Sequence, residues 1–115
     1  YSHIAAVRNI QRIVHIAGQG GENQQGLLCN DFVQQLQQAF ANLQLALQAA
    51  DAALPDIATL RILIAGHSPE KHQMLIQHMR HLWKNSAFPA CTLIPVPCLA
   101  LAGMQIEIEA AAYCA

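Results

Sequence analysis

Apolar positions recur with a helical period between residues 32 and 47. Phe32, Leu36, Phe40, Leu43 and Leu47 form one stripe, and Gln34, Gln37, Gln38, Gln44 and Gln48 stand opposite it. Asn30 or Asp31 precedes the stripe as a cap, and the helix is expected to end near Ala50, with Pro55 in the loop after it. Over residues 58–65 the period becomes two. Leu60, Ile62 and Ile64 then share one face and Thr59, Arg61 and Leu63 the other, as in a buried strand. Gly66-His67 turns the chain, and Ser68-Pro69 is a cap followed by a helix-starting proline. The second helix is expected to run to about Trp83, with Leu75, Met79, Leu82 and Trp83 as its apolar side.

The two ends of the chain read as strands. A short one is expected near Ile4 and Val7, then a turn at Asn9-Ile10, then a second from Arg12 to Ala17 around the β-branched run Ile13-Val14-His15-Ile16. Four glycines among residues 18–26 mark a loop; it lacks the GK[ST] ending and following helix of a phosphate loop. Phe88-Pro89 opens an extended segment through Cys91 to Val96, and a last strand is expected over 105–113. Pro95 and Pro97 carry no N–H, so one side of that segment cannot donate to a ladder. The order β-β-α-β-α-β-β predicts an α+β domain, a single unit over 1–115, with one mixed sheet covered on one face by two helices.

Composition adds a constraint on the uncovered face. The hydrophobic fraction is 54% and the charged fraction 11%, against about 25% charged in an average domain. So few charges leave apolar surface to be hidden against other subunits, and a small closed oligomer is expected. No apolar run is long enough to span a membrane, and no leader opens the chain, so a cytoplasmic protein is expected. Six basic residues against seven acidic ones form no stripe, which argues against nucleic acid as a partner. Cys29, Cys91, Cys98 and Cys114 make no CxxC pair and read as free thiols.

Several features, in order along nearly the whole chain, resemble the RidA (YjgF, L-PSP) family of reactive-intermediate imine/enamine deaminases. They are Tyr1-Ser2 with Ala5 and Val7, Gly18-Gln19 after a strand, and Asp31-Phe32 with Gln35, Ala39, Asn42 and Leu43. Asp56-Ile57, Phe88-Pro89-Ala90 and Ile106-Glu107-Ile108-Glu109-Ala110 complete the set. The resemblance implies a chorismate-mutase-like homotrimer with helices outside and small-molecule clefts between subunits, and no cofactor. It assigns Glu107 the holding of the attacking water. It also makes Tyr1, Ala17, Gly18, Met74, Cys91 and Leu93 pocket residues. The sequence departs from the family where Pro89-Ala90-Cys91-Thr92 replaces the family's P-A-R-[ST]. The missing arginine would grip a substrate carboxylate in two places, and a thiol offers neither charge nor fork. A charge-assisted contact contributes about 1.5–3 kcal/mol, so carboxylate substrates are expected to bind at least an order of magnitude more weakly. Ala17 stands where the family has serine and Met74 where it has asparagine.

Each candidate also has a plainer reading. Glu107 and Glu109 share a strand face, and Arg61 on a neighbouring strand would pair with one of them. Cys91 is either a pocket thiol or an inert buried one, since reactivity needs a nearby cation and none is evident. His67, His72, His78 and His81 cluster around the second helix, but His78 and His81 alone are an incomplete metal site, so no metal is expected. Tyr1 is either a cleft wall or a frayed end. A ribonuclease reading lacks both basic charge and a catalytic histidine pair.

Overall fold

Asp31 starts the first long helix. In a computed structural model that describes residues 2–115, its side chain accepts from the Gln34 N–H at 3.2 Å and caps helix α1, Phe32–Ala49. The expected stripe is its buried face, from Phe32 to Leu47. The helix ends at Asp51, whose φ of 53° lies in the left-handed region. Arg12 closes that end by donating to the carbonyls of Ala50 and Asp51 at 2.6 and 2.9 Å, a cation on the negative pole of the helix. Ser68 caps helix α2, Pro69–Trp83, by accepting from the Lys71 N–H. Glu70 in the first turn and Arg80 and His81 in the last also complement the helix dipole.

Four strands form one mixed sheet: β1 Arg12–Gly20, β2 Ile57–Ala65, β3 Ala90–Val96 and β4 Ile106–Cys114, in the spatial order β1-β4-β2-β3. β4 pairs antiparallel with both β1 and β2, while β2 and β3 are parallel. The parallel pair requires a crossover, and α2 supplies it. Both helices lie on one face. Ile62, Ile64, Ile106 and Ile108 are fully buried beneath Leu36, Phe40, Leu43, Leu75, Met79 and Trp83. Phe40 and Trp83 meet edge to face at 6.0 Å between ring centroids, which ties the two helices together. The class and layering are those expected, α+β with two helices on one sheet face.

The expected first strand is a correction. Residues 3–10 form no strand, and the segment touches the sheet only through an isolated bridge between Ser2 and Ala90. Ile4 is 82% exposed, since beyond the Ser2 bridge the arm pairs with neither of the free sheet edges, β1 and β3. Asn9, with φ of 58°, makes the expected turn into β1. Tyr1 lies outside the described residues.

The second sheet face is open. Ile13, Thr59, Arg61, Thr92 and Ile94 are exposed on it, and a concavity of about 650 Å³ runs across it between His15 and Tyr113 on one side and Thr92 on the other. The chain exposes 6928 Å², whereas a folded monomer of 12.5 kDa is expected to expose roughly 6,200 Å².

Candidate functional site

The carboxylate of Glu107 is set by a β-bulge. Ile16 pairs with Ala110 and Gln19 with Ile108, so Ala17 and Gly18 together stand opposite Glu109. The bulge leaves Ala17 exposed and brings Gly18 under the Glu107 side chain. A Cβ at position 18 would fall on the Glu107 carboxylate, so a larger residue there would displace that side chain. Arg61 pairs with Glu109 at 2.7 Å and not with Glu107. Among the described residues Glu107 therefore has no cationic partner.

Buried amides hold this end of the sheet. Gln35 is fully buried in α1; its Nε2 donates to the carbonyls of Cys29 and Gly103 at 2.7 and 2.9 Å, and its Oε1 accepts from the Gln105 N–H at 2.9 Å. Two turns on, Asn42 donates to the carbonyls of Gly20 and Glu22 at 2.9 and 2.8 Å, and Gln38 donates to its Oδ1. The glycine loop and the start of β4 are thereby clamped to one helix, two residues from Glu107. Gly21 permits the clamp, since a Cβ there would meet the Gln35 backbone. The Oε1 of Glu22 is buried beside Gly20 without a hydrogen-bond partner. Sequence reasoning did not assign this brace a role. The available signal was two amides seven residues apart on the apolar side of α1.

Cys91 lies elsewhere. It pairs in register with Leu60, while Glu107 pairs with Leu63, so strand parity puts the thiol and the carboxylate on opposite faces. The thiol packs with Leu93 against α2, at a small gap walled by His72, Leu75, Ile76 and Met79. Burial pushes its pKa up to about 11, so the sulfur is protonated at neutral pH. Met74 is a third location, 38% exposed on the flank of α2 that faces α1, in a groove with Val33, Gln37 and His78. Burial, and then the charge of His81, hold the His78 imidazole below its ordinary value. No three His, Cys, Asp or Glu side chains cluster as a metal site among the described residues. One chain thus brings Ala17, Gly18 and Glu107 together, and Cys91 with Leu93, but leaves the two groups and Met74 apart.

No helix among the described residues is long and apolar enough to cross a membrane. The family described as Endoribonuclease L-PSP matches residues 1–114. The structure of YyfB from Yersinia pestis, a Rid-family protein of unknown function, is 34% identical with a TM-score of 0.89, over 96% of this chain and 84% of that one. RidA from the Antarctic bacterium Psychrobacter sp. is 25% identical with a TM-score of 0.80, over 98% and 87%. TdcF from E. coli, solved with bound serine, shares the fold at 19% identity and a TM-score of 0.82, over 100% and 88%. No curated protein matches the chain. The order of motifs, the mixed sheet under two helices and these matches agree: the chain belongs to the Rid (YjgF) family, described as Endoribonuclease L-PSP.

Proposed function

We propose that the protein is a homotrimer that binds a small molecule in clefts between subunits, and that it does not hydrolyse 2-aminoacrylate or 2-imino acids as standard family members do. The observation that carries this is Cys91. Where the family resemblance calls for a guanidinium, a protonated thiol faces an apolar gap. A carboxylate brought there would lose its water and gain no charge partner from position 91. The separation of Ala17, Gly18 and Glu107 from Cys91 and Leu93 supports a cleft shared by two copies. The open sheet face and the exposed arm supply surface for such contacts. The serine on TdcF supports a small-molecule site in this fold.

A second reading has one observation in its favour. Arg61 is taken by Glu109, so Glu107 is free to hold a water. Adding that water across the C=N bond of an imine without a carboxylate would release ammonia and a carbonyl compound.

Turnover of 2-iminopropionate separates these readings from the standard activity. The expected rate is that of the spontaneous reaction, and Cys91→Arg is expected to raise it. Rapid wild-type hydrolysis lost in Glu107→Ala would overturn the proposal. Light scattering is expected to give three times the chain mass of 12.5 kDa, and a stable monomer at micromolar concentration would remove the trimer.

A further inference from the structure

Helix α2 carries Met74, His78 and His81 at spacings of four and then three. On a regular helix these positions fall within about 60° of one another around the axis. Neighbours at such spacings stand about 5–6 Å apart at Cβ, within reach of one shared ion. All three side chains line one groove of about 300 Å³, walled on the other side by Val33, Leu36 and Gln37 of α1. His78 and His81 are close enough for the charge of one to act on the other. The His78 ring packs on Phe40 at 5.3 Å between centroids, which fixes its place at the groove. No carboxylate or thiol lines the groove, and among the described residues neither imidazole has an acidic partner. Two histidines alone are incomplete for zinc, which takes four ligands. The thioether of Met74 changes the chemistry. Imidazole suits zinc, copper, iron and nickel, whereas a thioether selects copper(I). Copper is the metal that both ligand types accept. Magnesium and calcium require the oxygen ligands that the groove lacks.

We propose that Met74, His78 and His81 form a surface site for copper(I), held by one thioether sulfur and two imidazole nitrogens. Met74 then belongs to a site of its own. It stands apart from Cys91 and from Glu107, so this inference does not depend on the cleft proposed around them.

The test uses the full chain with Cys29→Ser and Cys98→Ser, because both thiols are exposed and would compete for a soft ion. Methionine methyl and histidine ring signals are followed by NMR as silver(I), a redox-inert ion of the same charge and softness, is added. Copper(I) affinity is then measured without oxygen by competition with bicinchoninate. Silver(I) is expected to shift the Met74 methyl and the rings of His78 and His81, and to leave the methyls of Met79 and Met104 unmoved. Zinc(II) is expected to shift the two rings and not the methyl. Losing even a group that supports a ligand weakens metal binding about tenfold or more, so Met74→Leu is expected to weaken copper(I) at least roughly tenfold. The same variant is expected to leave zinc(II) unchanged, and His81→Gln to weaken both metals. Met74 and His81 are exposed, so both variants should melt with the parent chain; should they not, the methyl shift on the parent chain still decides. An unmoved Met74 methyl at saturating silver(I) would overturn the site. So would copper(I) held equally well by Met74→Leu, or ring shifts at His67 and His72 in place of those at His78 and His81.

Discussion

The two edges of the sheet are held by different chemistry. At the β1 edge, Gln35 and Asn42 reach from α1 to backbone groups of the glycine loop and the start of β4, and Gln38 holds the Asn42 amide. At the β3 edge, Leu75, Met79 and Trp83 of α2 bury apolar surface with Cys91 and Leu93 against the same core. Hydrogen bonds are directional, so the first arrangement fixes where a carboxylate such as Glu107 stands. Apolar packing is not directional, so the second tolerates a change of side chain, provided shape is filled. The β3 side therefore constrains the chemistry of position 91 less than the amide brace constrains the place of Glu107.

The comparison can be broken in four places. Trp83→Ala removes the largest buried side chain of the β3 side, and urea unfolding is expected to show a loss of about 4 kcal/mol. A loss below about 2 kcal/mol would mean that packing there is loose. Gln35→Leu keeps the volume but strands two carbonyls and one N–H, and the expected loss is about 3 kcal/mol. Wild-type stability in this variant would refute the amide brace.

The third concerns pH. Burial raises the folded-state pKa of Cys91 from 9.0 to about 11. Between those values the unfolded chain binds fewer protons than the folded one. Stability from this group is thus fully present below pH 9 and lost as pH rises toward about 11. Cys91→Ser does not titrate there, so its stability should fall less steeply than that of the wild type; equal slopes would show the thiol to be solvated. The smallest effect is expected in the middle of the open face. The Arg61 and Glu109 side chains are 60% and 41% exposed, and Arg61→Ala should change monomer stability by less than about 1 kcal/mol. A larger, concentration-dependent loss would instead show that a second copy covers this pair.

Much of the fold was legible because its elements are periodic. The stripe from Phe32 to Leu47, the Ser68-Pro69 start and the alternation over β2 and β4 each point to one structure, and each forms within a residue or two of the expected bounds. The segment around Ile4 and Val7 misled because β-branched residues form a strand only where they pair with an edge, and beyond Ser2 this segment pairs with neither β1 nor β3. Of the candidate site, the shared face of Glu107 and Glu109 and a pair with Arg61 were readable from parity. Which glutamate Arg61 takes was not.

Sequence alone determined the α+β class, both helices, the absence of a guanidinium at position 91 and the marks of the family, because periodicity, caps and motif residues are local. Tertiary structure decided what those residues stand beside. The bulge at Ala17 and Gly18 put the Glu107 carboxylate over a glycine, and strand register gave Arg61 to Glu109. The crossing of α2 over β3 set Cys91 against Leu75 and Met79 and left Met74 in a separate groove toward α1. A side-chain period specifies a face, but the neighbours across that face come from strand register and helix packing, which join parts of the chain far apart in sequence.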